Sequence, residues 1–424
     1  MIKRVFFLLV TAIALLPAVT ITQMFDALKK QPQTRFDTTL AQFAKLGIKS
    51  TEDQFYPKIF AFGSYEHYNS PTNLRPLPPT ELTRLGRSSP YPFAQTIERI
   101  GMKISMPIFV KELFTLKNKA KALFRSAKLK KQLNFYQNEA VILSADAELL
   151  YLKHLKKALE ARKRSLQKTS KDLKIKVKNG RAAGIMLDMI EENINKLDIG
   201  INSVDIKYSL LVSQIEALTN LHIKDPASLE LVSSLKTDDI FALKPLKFAL
   251  EAKKYEKNAA YDRFYPKITA KALWSENYSQ KDVLLNEDVH RGYGSYMIEF
   301  QMPLFDKNNF TNIQKAKISL QKEKFRLSKT KQELKAKAKA LKKELVLFEN
   351  SIKLAKKSIA NKKELLKYAK VAFKNGRMRE EEYLRYEEGL LEAQSQYYEI
   401  IAKKWQSISQ LAVIYGNDLK GIVK

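Results

Sequence analysis

The chain has 424 residues and no cysteine, which excludes disulfides, thiolate metal sites, a Cys nucleophile and a lipid-bearing N-terminal Cys. Its 75 Lys and Arg against 45 Asp and Glu leave a net charge of +30, a balance that raises nucleic acid or anionic lipid as partners. No Walker A sequence, GxGxxG, HExxH or GxSxG occurs, so the chain reads as a non-enzyme without a cofactor.

The front of the chain is MIKRVFFLLVTAIALLPAVT. Lys3 and Arg4 precede an apolar run from Val5 to Leu16, closed by Pro17. Such a run is shorter than the roughly 20 residues a helix needs to span a bilayer. It fits an export signal over residues 1–22, with a cut expected after Ala18. The alternative is a buried N-terminal helix. Export removes DNA and RNA as partners and leaves the positive charge to solvent or lipid headgroups.

Residues 23–52 read as helix interrupted at Pro32 and Gly47, followed by Phe55-Tyr56-Pro57 and an extended stretch. Six prolines between 69 and 95 mark a loop. Ile100, Met102, Ile104 and Met106 then alternate with Arg99, Gly101, Lys103 and Ser105, the period of a two-faced strand. A first rod is expected over about 110–178 and a return helix over 182–221, with a connector at 223–240. A helix from about 246 leads into Phe264-Tyr265-Pro266. The strand after it sets Ile268, Ala270, Ala272 and Trp274 against Thr269, Lys271 and Ser275. After a loop at 276–294, Tyr296, Ile298, Phe300 and Met302 oppose Met297, Glu299 and Gln301. The first strand is ambiguous, because Phe60 and Phe62 share a face with Lys58 and Ser64.

The second rod has the strongest pattern. Apolar residues recur every seven positions at Ile313, Leu320, Leu327, Leu334, Leu341 and Phe348. After a shift they resume at Ile352, Ile359, Leu366 and Phe373. A seven-residue apolar repeat keeps one seam of a helix against a partner. About 65 residues at 1.5 Å each make a rod on the order of 100 Å long. It stops at Lys374-Asn375-Gly376-Arg377, where Asn-Gly permits a left-handed turn.

The same object occurs earlier. Lys178-Asn179-Gly180-Arg181 repeats the tip, Met106-Pro107-Ile108-Phe109 matches Met302-Pro303-Leu304-Phe305, and Phe55-Tyr56-Pro57-Lys58-Ile59 matches Phe264-Tyr265-Pro266-Lys267-Ile268. Three matched motifs in one order indicate a tandem duplication, with repeats at 23–225 and 226–424. Strands of about ten residues with alternating faces suit a membrane barrel with a wet lumen, which Arg99, Lys103, Lys271 and Glu299 would line. The alternative is a soluble sheet capped by helices. Four strands cannot close a barrel alone, so a barrel requires several chains.

The chain resembles the TolC-like outer-membrane efflux proteins. The resemblance covers nearly everything after the signal and rests on the duplicated element order, the Tyr-Pro strand entries, the Met-Pro-x-Phe exits and the tips. The second tip matches best, with Gly376 followed six residues on by Glu382, then Glu387, Leu390-Leu391-Glu392-Ala393 and Tyr397. The resemblance implies a mainly α fold with a small β part. Duplicated helical hairpins would form a periplasmic tunnel, and four amphipathic strands would contribute to a shared 12-stranded barrel in outer-membrane lipid. It implies a homotrimer that conducts substrate passively, in efflux or type I secretion, with no cofactor. A periplasmic adaptor and an inner-membrane pump would be the partners. The tips Asn179, Gly180, Arg181 and Asn375, Gly376, Arg377 would meet the adaptor, and Glu382 and Arg385 would sit at the pore constriction, paired at i, i+3. Two departures stand out. Met186 occupies a position where the family often has Asp, and Arg385 one where some members place a second acid, which makes the constriction less acidic. The other reading is an exported periplasmic coiled-coil adaptor or scaffold without a barrel.

Smaller features take plainer readings. Lys335, Lys337, Lys339, Lys342 and Lys343 read as a solvated face. Met186 and Met189 read as core, and His67, His154, His222 and His290 as scattered, without helical ligand spacing.

Overall fold

The computed structural model describes residues 19–77, 80, 92–279 and 288–424. Most of the expected signal therefore lies outside the described residues, as do parts of both strand-connecting loops. Both repeats carry the same elements: helix, two strands, a very long helix, a tight tip and a return helix. The long helices α3 (Lys111–Lys178) and α6 (Lys307–Lys374) each have 68 residues, and the return helices α4 (Gly184–Thr219) and α7 (Glu380–Tyr415) each have 36. Among the described residues no helix is long and apolar enough to cross a membrane.

The chain divides into two compact units, and each takes segments from both repeats. The first comprises Met1–Thr39, Leu129–Lys244 and Thr330–Lys424. Its core begins with α1 (Ile21–Leu28), which starts inside the segment 1–22 assigned to the signal; a cut after Ala18 leaves the helix whole. Thr20 caps α1 and Gln23 returns the bond, a reciprocal capping box that satisfies two otherwise orphaned N–H groups. Ile21, Met24, Phe25 and Leu28 are wholly buried against Ile142, Leu143 and Leu149 of α3, Ile215 of α4 and Trp405 and Ile408 of α7. The connector is held by the C-terminus: Glu230 and Lys424 exchange backbone hydrogen bonds at 2.8 and 3.0 Å.

Two buried carboxylates fasten the connector and the C-terminus to α3. Glu139 accepts the Leu419 N–H at 3.2 Å and Asp146 accepts the Ala227 N–H at 3.0 Å. Both are wholly buried, and the second oxygen of each has no partner. Burial pushes Glu139 up to about 8, helped by the nearby Asp418, and pushes Asp146 up to about 7.

The second unit comprises Leu40–Lys128 and Pro245–Lys329. The helix α2 (Pro32–Glu52) leads into it. Pro32 opens this helix, as a residue without an N–H can, but Gly47 does not interrupt it. The helix α5 (Lys244–Asp262) packs Ala260 against Ile313 and Ala316 of α6. Arg263 reaches Glu112 at 2.8 Å and Lys119 reaches Glu256 at 2.8 Å. The same unit holds one antiparallel sheet of β1 (Lys58–Asn73), β2 (Phe93–Val110), β3 (Lys267–Ser279) and β4 (Val289–Gln301), in that order. The strands run past the expected ends: β3 continues to Ser279, and β4 starts at Val289 where a loop was expected to 294. Glu276, Asn277 and His290 have loop-like composition, yet they keep the alternation and the ladder continues through them. The two Met-Pro motifs also differ. Pro107 lies within β2 at a register shift, where a missing N–H does least harm, while Pro303 follows the end of β4.

Candidate functional site

The sheet has two unlike faces, and the register defines them. Ile59, Ile104, Ala272 and Tyr296 lie side by side across the four strands, and Ala61, Met102, Trp274 and Gly294 form the next row. Ile100, Met106, Ile268, Ala270, Ile298 and Phe300 extend the same face. Its large side chains are exposed, Ile298 at 74% and Tyr296 at 93%. From Ile268 to Glu276 the band rises about 26 Å along the strand, at roughly 3.3 Å per residue. At its far end Glu276 bonds His290, and His67 meets Thr96 at 3.0 Å, so the apolar band gives way to polar pairs.

The opposite face holds all four residues expected in a lumen. Arg99 donates to Glu66 at 3.1 Å, to Asn277 at 3.0 Å and to the Leu74 carbonyl at 2.6 Å. Lys103 lies 4.4 Å from the centre of the Phe62 ring. Lys271 pairs with Glu299 at 2.8 Å. The ambiguity of the first strand resolves here: Phe60 and Phe62 belong to the polar face, and Ile59, Ala61 and Tyr65 to the apolar one. Lys103 makes this possible, because its stem and charge cover the Phe62 ring. Among the described residues the strands β1 and β4 have no further neighbour, so each leaves one edge of the sheet open.

The two tips are the same structure twice. Gly180 and Gly376 have φ of +68° and +69°. At each, the glycine N–H bonds the carbonyl three residues back and the following arginine N–H the carbonyl five back: Gly180 to Val177 and Arg181 to Lys176, Gly376 to Phe373 and Arg377 to Ala372. This double bond satisfies the last carbonyls of α3 and α6 and requires the left-handed conformation. The space beside both glycines is open. Asn179 and Asn375 continue the helical bonding, to Ile175 and Val371.

Near the second tip the structure corrects the expected pairing. Arg385 bonds Glu381 at 2.6 Å, an i, i+4 contact with the acid on the N-terminal side, and not Glu382. Glu382 is exposed. The neighbouring acids reach across to α3: Glu380 to Lys168 at 2.8 Å, Glu387 to Arg164 at 3.7 Å and Glu388 to Arg162 at 3.6 Å. These partners were not anticipated. The sequence signal was a basic block at 162–168 facing an acidic block at 380–388, more than 200 residues apart.

One smaller expectation also changes. Met186 and Met189 are exposed on α4 and are not core. The four histidines stand apart, each with its own neighbour: Thr96, Tyr398, Glu216 and Glu276. Among the described residues no cluster of three His, Cys, Asp or Glu could hold a metal. The five lysines from Lys335 to Lys343 are all exposed, as expected.

No protein-family model matches the chain, and no curated protein matches it in sequence. Solved structures do. VceC, an outer membrane protein of Vibrio cholerae, is 12% identical, with 93% of this chain and 96% of that one covered at a TM-score of 0.68. The CmeC outer membrane channel of Campylobacter jejuni is 16% identical over 94% and 85%, at 0.67. The MtrE outer membrane channel of Neisseria gonorrhoeae, in its open state, is 14% identical over 93% and 88%, at 0.68. At these identities the likeness concerns the fold: the chain has the fold of the TolC-like outer-membrane channels.

Proposed function

We propose that this chain, with the fold of outer-membrane channels, is one of three identical subunits of a channel-tunnel. The tunnel conducts substrate passively across the periplasm and outer membrane. The observation that carries this reading is the open sheet with one exposed apolar face. Water penalises such a face, whereas lipid accepts it. Lipid does not accept open strand edges, because unpaired N–H and C=O groups find no partner there. Placing β4 of one copy on β1 of the next removes both edges. Three copies give 12 strands, above the practical minimum of about eight, and turn Arg99, Lys103, Lys271 and Glu299 towards water. A periplasmic adaptor without a barrel has no use for this face.

On the same reading residues 1–22 hold the export signal, cut after Ala18 so that α1 stays whole, and the two tips meet a periplasmic adaptor that links the tunnel to an inner-membrane pump. The capped turns at Gly180 and Gly376 offer rigid, open surfaces for that contact. Whether the pump serves efflux or type I secretion is set by that partner. Near the second tip three copies of Glu382 converge on the axis. Since Arg385 is taken by Glu381, the ring stays acidic, attracting cations and repelling anions.

Planar-bilayer recording tests both levels. The wild type is expected to form cation-preferring pores. Glu382→Gln is expected to cut the cation preference severalfold, while Arg385→Ala leaves it within about twofold. No pores from folded wild type contradicts the channel, and unchanged selectivity in Glu382→Gln removes this residue from the constriction.

A further inference from the structure

The polar face of the sheet carries a charge of its own. Every Lys and Arg of the four strands lies on it: Lys58, Arg99, Lys103, Lys267, Lys271 and Arg291. The four strand carboxylates divide evenly, Glu98 and Glu276 on the apolar side, Glu66 and Glu299 on this one. Six bases against two acids make the polar face of each copy strongly positive.

Both acids are already committed. Glu66 accepts from Arg99 at 3.1 Å and from Ser64 and Tyr68 at 2.7 Å each, and Glu299 holds Lys271. Lys58 and Lys103 are exposed and, among the described residues, have no acidic partner. A neighbouring β4 set beside β1 does not supply one in any register, because the one acid of that strand is the same Glu299.

Beside these two lysines stands an aromatic ring without cover. Phe60 faces Lys103 directly across the ladder, and Lys58 is the previous residue of β1 on the same face, about 6.6 Å along the strand. The next ring on that face, Phe62, lies under the Lys103 ammonium, 4.4 Å from its centre. Phe60 has no such cover and is 60% exposed. A second aromatic ring laid on Phe60 takes apolar surface of both away from water. A carboxylate or sulfonate on that ring then lies within reach of two ammonium groups, in a passage whose low-dielectric wall focuses their field.

We propose that Lys58, Phe60 and Lys103 form a station for aromatic organic anions on the inner wall of the barrel. The proposal rests on the channel reading and names the class of solute that the barrel favours. A small anion lacks the ring, and an aromatic cation meets the wrong charge, so both are held less. The sign is opposite to that of the Glu382 ring, which lets the two be told apart: Glu382→Gln lowers the cation preference of the pore, and Lys58→Gln raises it.

Single pores recorded in a planar bilayer, with naphthalene-1-sulfonate added on the barrel side, test the station. In the wild type this anion is expected to block at concentrations about fivefold or more below those of methanesulfonate, which has the charge without the ring, and of benzyltrimethylammonium, which has a ring and the opposite charge. Lys58→Gln and Phe60→Ala are each expected to raise the half-blocking concentration about fivefold or more, and Lys58→Arg to stay within about twofold of the wild type. Lys58→Gln changes an exposed side chain with no acidic partner, so it gives a reading even where Phe60→Ala fails to fold. Conducting pores in which wild type and Lys58→Gln are blocked alike, or in which the three probes block alike, overturn the proposal and leave the channel reading standing. No pores from folded wild type removes both.

Discussion

Gly101→Ala is expected to deplete folded protein in the outer membrane at least tenfold. A Cβ at this position would stand 2.2 Å from the Trp274 carbonyl oxygen and 2.8 Å from the Ser275 Cα. Both are backbone atoms of the strand paired with it, so no side chain can turn aside. Relief requires β2 and β3 to part at a ladder that joins the two repeats. Overpacking of a built interior typically costs 1–3 kcal/mol even where side chains can move, and here they cannot. Gly63→Ala is the control. A Cβ there would meet only the Arg99 carbonyl oxygen, at 3.7 Å, an ordinary contact. Quantifying heat-modifiable protein in outer-membrane fractions of both variants checks the contrast, and equal yields would contradict the close approach.

The second large effect is on stability as a function of pH. Glu139 and Asp146 release their protons near 4.5 and 3.8 in the unfolded chain, but hold them to about 8 and about 7 when folded. The folded state therefore binds more protons across this window. Stability is greatest below it, falls as pH rises through it, and levels off above about 8. At roughly 1.4 kcal/mol per unit, and allowing for relaxation around the buried charge, the fall is on the order of 2–4 kcal/mol. Glu139→Gln and Asp146→Asn keep the carbonyl that accepts the Leu419 or Ala227 N–H and cannot ionise. Each is expected to flatten the slope and to raise Tm at pH 8 relative to the wild type, with little change at pH 5. Thermal unfolding in detergent at the two pH values decides it. Parallel slopes for wild type and both variants would show that these carboxyls do not carry the effect.

Features written in local periodicity were legible before the structure. The rods, the return helices and the Asn-Gly tips depend on spacing and turn chemistry within a few residues, and the duplication repeats them. The faces of three strands followed from their alternation, and with them the positions of Arg99, Lys103, Lys271 and Glu299. What was missed depends on distant parts of the chain. Phe62 could be assigned only once Lys103 was known to cover it. Arg385 had Glu381 and Glu382 within reach, and helix geometry favoured the i, i+4 partner. Lys168, Arg164 and Arg162 find their acids on the other hairpin, a pairing that no single-helix pattern encodes. Glu139 and Asp146 stand almost alone in an apolar stretch of α3, which was a visible signal, but their backbone partners come from the connector and the C-terminus.

The most direct test of the central claim is the mass of the detergent-extracted protein. On the proposed reading, a four-stranded sheet with one apolar face and two open edges needs other copies to close in lipid. Native mass measurement is therefore expected to give about three times the 48.8 kDa chain, less the proposed signal. A monodisperse monomer that stays folded in detergent would contradict the shared barrel.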